Sequence, residues 1–296
     1  MSEFDKQLEK IGNKPGFIAA LDQSGGSTPK ALSKYGVADS AWKTEQEMFD
    51  LVHKMRQRIV TNPSFNGDRI LGAILFENTM EDMFDNQPTP DYLWKTKGVV
   101  PFLKVDKGLA DERNGVQMMK PMPALDNTLS RAKEKNIFGT KMRSVIKVAS
   151  KNGIENVVTQ QFSLATRIIE AGFVPIVEPE VDINCPDKKN AETLLREVLE
   201  KELSKCQPEQ KVILKLTLPD EADFFLPLAT HDNVLRVVAL SGGYSREEAN
   251  RRLLANKLLV ASFSRALTEG LLATQDEDEF TEKLNYSIES IYQSSL

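Results

Sequence analysis

Short apolar segments recur along the chain, and each is bounded by Gly, Pro, Asn or Asp. They lie at 16–22, 69–77, 100–106, 139–146, 174–181, 212–219, 234–240 and 258–264. Near-continuous runs of branched apolar residues are typical of parallel strands that are covered on both faces. The pattern therefore predicts about eight buried strands.

Helical periodicity appears between these segments. Residues 43–60, 157–171 and 279–292 each place apolar side chains on one stripe. Ser245 and Glu248 have the spacing of a capping box that begins another helix, and Thr28 followed by Pro29 has the pattern of an N-cap with proline at the first helical position. The polar residues 184–192 are expected to lead into a helix at about 191–205. The stretch 78–99 is irregular and polar, which predicts an excursion between the second and third strands.

Strands that alternate with helices favour an α/β fold, a (β/α)₈ TIM barrel. The alternative is an open doubly wound sheet, but no G-x-G-x-x-G follows the first strand and the sequence has no P-loop motif. A length of 296 residues fits one barrel, and no low-complexity linker divides the chain. We predict a single catalytic domain over 1–296, with a short N-terminal segment at 1–15 and a C-terminal helix at 279–292.

Composition and charge exclude several classes of function. The 38 basic and 43 acidic residues leave a net charge of −5, which disfavours nucleic-acid binding. No apolar run approaches the roughly 18 residues of a membrane span, and the charged N-terminus does not resemble a signal peptide. Cys185 and Cys206 show no paired motif, so we expect reduced thiols and a cytoplasmic location. His53 and His231 are the only histidines, which excludes three-histidine zinc sites, and we expect no metal.

Five of the predicted strands carry charged residues at buried positions or at their ends. These residues are Asp22, Lys104, Asp106, Lys141, Arg143, Glu178, Glu180 and Lys215. Unpaired buried charges cost several kcal/mol, so packing does not explain them. If their faces point into a barrel, they meet at its C-terminal mouth, where barrel enzymes place their chemistry.

Lys215 is a candidate nucleophile. Its neighbours in the strand are apolar and another cation is expected nearby, and both conditions favour the neutral amine. A neutral amine attacks carbonyl carbons and forms an imine. The alternative is a lysine that extends past the strand end into solvent.

Three corners rich in glycine or hydroxyl groups follow strands one, seven and eight. They contain Ser24, Ser27 and Lys30 in the first, Ser241, Gly242 and Gly243 in the second, and Ser262 and Arg265 in the third. Backbone N–H groups at a helix start and an arginine fork are suited to phosphate. The corners indicate phosphate binding, although each one alone fits a tight strand-to-helix turn.

Taken together, these motifs closely resemble the class I, Schiff-base fructose-bisphosphate aldolases, in their compact bacterial form. The shared segments are ALDQSGGS at 20–27, FLKVDKG at 102–108, TKMRS at 140–144, VPIVEPEV at 174–181, LKLT at 214–217, LSGG at 240–243 and ASFSRAL at 261–267. The resemblance covers most of the chain and preserves the order of the motifs.

The resemblance implies a role for each matching position. Lys215 would form the Schiff base, Glu178 would be its acid and base with support from Glu180, and Asp22 would orient or deprotonate the C4 hydroxyl. Lys141 and Arg143 would lie beside the imine and the substrate, with Lys104 supporting them. The implied phosphate contacts are Ser241, Gly242, Gly243, Ser262 and Arg265 at one end of the substrate, and Ser24, Ser27 and Lys30 at the other.

Several positions depart from the family pattern. Gln23 stands where an acidic residue is common, Ala31 where a basic residue is common, and Ser264 where a glycine is usual. The animal form of the family ends in a functional tyrosine, and Tyr292 does not align with it.

The implied activity is reversible cleavage of fructose 1,6-bisphosphate to dihydroxyacetone phosphate and glyceraldehyde 3-phosphate, in glycolysis and gluconeogenesis. The reaction needs no cofactor besides the covalent Schiff base, and the only expected partners are the sugar bisphosphate and, in a homo-oligomer, further copies of the chain. Two alternatives stay open: a Schiff-base aldolase for another ketose phosphate such as tagatose 1,6-bisphosphate, and a non-catalytic scaffold on the same fold.

Overall fold

Eight parallel strands form the barrel in a computed structural model that describes residues 1–24 and 26–296. The strands are β1 (Phe17–Leu21), β2 (Ile70–Leu75), β3 (Val100–Lys104), β4 (Gly139–Ile146), β5 (Val174–Val181), β6 (Val212–Thr217), β7 (Val234–Leu240) and β8 (Leu259–Ala261). Each pairs with the next strand along the chain. The barrel closes where the Ala20 N–H donates to the Phe263 carbonyl at 3.1 Å, beside β1 and β8.

Helices separate the strands and pack around them. They are α1 (Glu3–Asn13), α2 (Thr28–Lys34), α3 (Glu45–Thr61), α4 (Glu77–Glu81), α5 (Thr89–Asp91), α6 (Leu125–Glu134), α7 (Lys151–Glu170), α8 (Lys188–Leu203), α9 (Leu226–Ala229), α10 (Arg246–Leu254), α11 (Arg265–Thr268) and α12 (Glu277–Gln293). A 3₁₀ turn at Asp39–Ala41 and a π-helix at Tyr92–Thr96 complete the helical segments of the described chain. None of these helices is long and apolar enough to cross a membrane.

The core has two layers, because strand side chains alternate between the helices outside and the barrel interior. The larger layer lies between strands and helices, and a smaller one fills the barrel. Phe102 occupies much of the interior. A Cβ added at Gly72 or at Gly139 would lie 2.8 Å from its ring, so the bulky ring on β3 requires glycine on both neighbouring strands.

Helix α1 closes the N-terminal end of the barrel. Ser2 caps the helix in a reciprocal capping box with Asp5, and Leu8 and Ile11 pack on the interior core. Arg236 fastens the end of the helix by donating to the Ile11 carbonyl at 2.9 Å. With this floor in place, the barrel opens at the C-terminal ends of its strands.

The structure confirms the predicted TIM barrel and its eight strands, and it corrects several local predictions, among them the start of α7 at Lys151, six residues before the predicted 157. The stretch 78–99 is not irregular: it contains α5, the π-helix and a short hairpin of Met83–Phe84 with Gln87–Pro88. Helix α8 begins at Lys188, three residues before the predicted start. Helix α2 includes Thr28, and its N-cap is Ser27.

The predicted capping box at Ser245 forms only in half. The Ser245 hydroxyl accepts a hydrogen bond from the Glu248 N–H at 3.2 Å. The Glu248 carboxylate, however, binds Arg251 and Arg252 at 2.7 Å instead of reaching back to the cap. Two nearby guanidinium groups are stronger partners for a carboxylate than a single backbone amide.

Candidate active site

A cavity of about 330 Å³ opens at the C-terminal end of the barrel. Seven of the eight charged residues predicted to meet there line it: Asp22, Lys104, Lys141, Arg143, Glu178, Glu180 and Lys215; Asp106 does not. These residues lie on five strands or directly follow them, and β4 and β5 each contribute two residues from one face. The alternation of side chains therefore places the charges of five strands around one space.

Four buried side chains form a chain of alternating charge at the centre. Lys141 Nζ lies 2.9 Å from Asp22 Oδ2 and 2.6 Å from Glu178 Oε2. Lys215 Nζ lies 3.3 Å from Glu178 Oε1 on the far side of that carboxylate. All four residues are at most 9% exposed. Each charge has an opposite neighbour, which explains how the barrel tolerates them inside.

These pairings keep two of the groups ionised. Burial alone would raise the pKa of Asp22, but the Lys141 and Lys215 ammonium groups lower that pKa well below its usual range. Burial would lower the pKa of Lys141, but Asp22 and Glu178 raise it above its usual range. At neutral pH the Asp22 carboxylate and the Lys141 ammonium are both charged.

Two further ion pairs surround the centre. Arg143 Nε donates to Glu180 Oε2 at 2.5 Å, and although burial opposes it, this carboxylate raises the pKa of Arg143. Lys104 Nζ donates to the side chain of Asp106 at 2.7 Å and to its carbonyl at 2.9 Å. Asp106 thus balances Lys104 from behind the cavity wall, and Glu180 fixes the direction of Arg143.

The corners after β7 and β8 provide polar groups on one side of the cavity. Ser241, Gly242, Ser262 and Arg265 line it. Gly242 has φ +60°, and a Cβ there would lie 2.6 Å from Ile183, so this turn requires glycine. The Ser262 Oγ is buried and has no hydrogen-bond partner among residues 1–24 and 26–296, which leaves it available to a ligand.

Gly243 does not line the cavity, unlike the other predicted members of this corner. It lies behind the turn with φ +129°, where an added Cβ would be 3.7 Å from both terminal nitrogens of Arg265. The absence of a side chain at this position leaves room for the guanidinium.

The corner after β1 also lines the cavity, next to the corner after β8, because β1 and β8 are neighbours in the closed barrel. Ser24, Ser27 and Lys30 line the cavity there, while Gly25 of the predicted motif lies outside the described residues. The Ser27 hydroxyl accepts from the Ser24 N–H and donates to the Ser24 carbonyl, both at 3.1 Å. Lys30 extends from exposed helix α2 at the rim.

Sequence reasoning missed three residues of this region. Lys34 and Thr268 line the cavity, and Lys34 could have been found because it follows Lys30 by four positions on one helix face. Arg56 on α3 is 1% exposed, and burial lowers its pKa to about 10. Its guanidinium donates to Thr79 Oγ1 at 2.8 Å and to the Gln23 carbonyl at 2.5 Å.

Two of the departures from the family pattern touch each other. Gln23 Nε2 donates to Ser264 Oγ at 2.7 Å and so links the corner after β1 to the corner after β8. Ala31, the third departure, lines the cavity without adding charge. Tyr292 packs partly buried against the outer core and does not line the cavity.

No group of three or more His, Cys, Asp or Glu side chains suited to a metal ion occurs within the described part of the chain. The chemistry available in the cavity is that of amines, carboxylates, guanidinium groups and hydroxyls. This set can form an imine, transfer protons and bind anions.

Comparison with known proteins gives a consistent result. Residues 3–220 match the family described as glycolytic, fructose-bisphosphate aldolase class-I. A curated relative from Synechocystis sp., named fructose-bisphosphate aldolase class 1, is 58% identical over 291 residues, which covers 98% of this chain and 97% of the relative.

Solved structures show the same fold at low identity. The Plasmodium falciparum fructose-bisphosphate aldolase, crystallised with TRAP and an inhibitor, superposes with a TM-score of 0.74 at 19% identity and covers 99% of this chain and 94% of its own. An archaeal fructose-1,6-bisphosphate aldolase, whose catalytic lysine holds the carbinolamine intermediate, superposes with a TM-score of 0.54 at 11% identity and covers 98% of this chain and all of its own.

Proposed function

The chain belongs to the class-I fructose-bisphosphate aldolase family, and from this premise we propose that it cleaves fructose 1,6-bisphosphate reversibly into dihydroxyacetone phosphate and glyceraldehyde 3-phosphate. The observation that supports this most strongly is the buried contact of Lys215 Nζ with Glu178 Oε1 at 3.3 Å. An amine beside a carboxylate, open to a cavity, is the minimum apparatus for making and hydrolysing an imine. The class uses this covalent lysine intermediate and no metal.

The first half of the reaction makes an electron sink. The Lys215 ammonium passes a proton to Glu178, and the resulting amine adds to the C2 ketone and gives a carbinolamine. Glu178 returns this proton to the departing hydroxyl, water leaves, and a C2 iminium linked to Lys215 is formed. Lys141, held against the other oxygen of Glu178 at 2.6 Å, fixes the orientation of this carboxyl group.

The second half breaks the C3–C4 bond. Glu178, a carboxylate again after the dehydration, accepts the proton of the C4 hydroxyl; the C4 oxygen forms the aldehyde C=O, and the C3–C4 electron pair moves into the iminium to give an enamine. A carboxylate with a lowered pKa is a weak base, so Asp22 is suited to orienting this hydroxyl, and Lys141 to stabilising negative charge on its oxygen. Glu178 then gives its proton to C3, and hydrolysis of the resulting iminium releases dihydroxyacetone phosphate and restores Lys215.

The two phosphates would occupy two separate anion sites of the cavity. Ser241, Gly242, Ser262 and Arg265 form one site, and Gly243 leaves room for the arginine. Ser24, Ser27 and Lys30 form the other, and Lys34 adds a cation on the same helix face. Arg143 and Lys104 come from β4 and β3, across the barrel from β8 and β7, where they would contact the sugar.

Borohydride trapping tests the proposal directly. Borohydride reduces an iminium to a stable amine, so incubation with fructose 1,6-bisphosphate should add a mass to the peptide of Lys215 and stop turnover. Lys215→Met should lose both the adduct and at least about 10³-fold in kcat, since the covalent step is removed. Lys211→Met is the matched control, because Lys211 is half-buried and donates to the Asp232 carbonyl at 2.7 Å, outside the cavity.

Normal turnover with an unmodified Lys215 peptide would contradict the proposed mechanism. Activity should also persist in a chelator, and loss of activity that zinc restores would contradict it as well. A triose phosphate release assay run with EDTA present covers both arms.

We also propose three properties of the protein in its setting. The chain folds as one domain over 1–296. Its compartment is the cytoplasm, in keeping with the unpaired Cys185 and Cys206. It forms a homo-oligomer. Light scattering on the purified protein tests the last of these, and a monomer at micromolar concentration would contradict it.

A further inference from the structure

Strands β5 and β6 carry Glu178 and Lys215, and their ladder pairing ends just before these two residues. Strands β4 and β5 pair along their whole length, from Gly139 with Val174 to Ile146 with Val181. Strands β5 and β6 pair only at Ile176 with Ile213 and at Val177 with Leu214. Pro179, which follows Glu178, has no N–H to continue a ladder. The main chain at Glu178 is therefore paired with Arg143 of β4 but has no ladder pairing with β6.

A glutamine from helix α7 makes contact at this point. Gln161 is fully buried, and its Oε1 accepts a hydrogen bond from the Glu178 main-chain N–H at 2.8 Å. Because a backbone N–H can only donate, the oxygen of the amide must face Glu178.

The other half of this amide argues against a packing role alone. Gln161 Nε2 is buried and has no hydrogen-bond partner within residues 1–24 and 26–296. A buried donor without a partner is destabilising, and an apolar side chain would fill the same space without that penalty. The bond to Glu178 is what the amide provides here.

We propose that Gln161 is a positioning residue that sets the place of Glu178 through its main chain. It does not line the cavity, and it acts only by holding the carboxylate between Lys141, at 2.6 Å, and Lys215, at 3.3 Å. The inference rests on the proposed function, in which Glu178 transfers protons to and from the imine. A displacement of about 1 Å at such a group can reduce the rate about 100-fold.

Gln161→Met is the first test, since it keeps the size of the side chain and removes the acceptor. The expected result is a fall of about 10- to 100-fold in kcat with KM changed less than about twofold, because no phosphate contact is touched. Gln161→Glu keeps an acceptor oxygen at the same reach. It should fold and recover kcat to within about fivefold of the wild type, and its buried carboxyl should add a new pH dependence to kcat.

Gln160→Met is the matched control, one residue away on the same helix. Gln160 accepts from the Met119 N–H and donates to the Met119 carbonyl, both at 3.0 Å, and it contacts neither Glu178 nor the cavity. This variant should lose stability and keep kcat within about twofold of the wild type.

Equal kcat losses in the methionine variants at 160 and 161, or equal losses in Gln161→Met and Gln161→Glu, would overturn the proposal. If Gln161→Met does not fold, Gln161→Asn replaces it, because its amide is one methylene too short to reach Glu178; full activity of that variant would overturn the proposal too. A wild-type protein that neither cleaves the bisphosphate nor forms the borohydride adduct would instead contradict the proposed function.

Discussion

At the scale of single residues, Lys141 is the most connected group of the site. Its one ammonium contacts two buried carboxylates, Asp22 at 2.9 Å and Glu178 at 2.6 Å. Removing it would leave like charges facing each other in a dry space, and one of them would have to take up a proton. Lys141 therefore stabilises the fold and maintains the protonation states that the reaction needs.

The first prediction concerns the free energy of unfolding of Lys141→Met. Breaking a buried ion pair on one side costs on the order of 3–5 kcal/mol, and urea unfolding at pH 7 should show a loss of that order. The folded pKa of Asp22 is below its unfolded value of about 3.9. Its stabilising contribution is therefore present above about pH 4 and is lost as the pH falls towards the folded pKa.

The difference in free energy of unfolding between wild type and Lys141→Met should accordingly become smaller in acid, where protonated carboxyl groups no longer need a cation. Lys147→Met provides the control. The Lys147 side chain is 39% exposed and its Nζ lies 3.7 Å from Glu112 Oε2, so the substitution should cost no more than about 1 kcal/mol. A gap that stays constant between pH 7 and pH 3 would contradict this account of Lys141.

At the scale of elements, the interior ring of Phe102 determines how closely β2, β3 and β4 approach. Gly139 pairs with Phe102 on one side and with Val174 on the other. Any side chain at position 139 would meet both the ring and the strand backbone. Beneath the charged layer, the barrel interior thus accommodates the large Phe102 ring because Gly72 and Gly139 beside it have no side chains.

The second prediction is that Gly139→Ala is strongly destabilising. The added Cβ would lie 2.3 Å from the Val174 carbonyl and 2.8 Å from Phe102, and such overpacking typically costs about 1–3 kcal/mol. Gly26→Ala is the comparison, because nothing lies within 4 Å of its added Cβ. Thermal unfolding should separate the two variants by several degrees, and equal melting temperatures would contradict the packing argument.

The elements also show what a single sequence can and cannot reveal. Strands β4, β5 and β7 have the predicted bounds, because apolar runs covered on both faces follow one simple rule. The prediction for 78–99 failed because the elements there have two to five residues, which is too short for a hydrophobic periodicity to be visible. Helix α7 was predicted from its apolar stripe, but Gln161 was not noticed within it, since its partner is a main-chain N–H that every residue possesses.

The charged layer was predictable for a different reason. Lys215 and Glu178 interrupt apolar strands, and only a shared cavity explains several such interruptions at once. Arg56 gave no such signal, because a charged residue on an amphipathic helix is ordinarily exposed, and its burial depends on Gln23 and Thr79 from two other segments. Contacts between distant segments are what the sequence patterns leave out.

At the scale of the whole molecule, the net charge and the charge of the mouth have opposite signs. The chain carries −5, whereas the cavity is lined by seven cationic side chains and three carboxylates. A concave site with one dominant sign concentrates its field outward and attracts ions of the opposite sign. The positive mouth must overcome the repulsion of the rest of the surface for a bisphosphate to approach.

The third prediction follows for ionic strength. The Debye length falls from about 30 Å at 0.01 M salt to about 8 Å at 0.15 M. The kcat/KM for fructose 1,6-bisphosphate should therefore fall about 3- to 10-fold over this range, while kcat changes less than twofold. Fructose 1-phosphate, with one phosphate fewer, serves as the control and should show a shallower dependence. Equal slopes for the two sugars would contradict a role for the field.

Helix α1 closes the N-terminal end of the barrel with Leu8 and Ile11, and this constrains the order in which substrate and products enter and leave. The cavity opens at the C-terminal end of the barrel, so the sugar and both triose products pass through this opening. The aldehyde freed by bond cleavage has to leave through the passage by which the next hexose arrives, while its three-carbon partner is still tethered to the wall. In the direction of synthesis the sequence reverses, and the tethered triose must be installed before the aldehyde can enter.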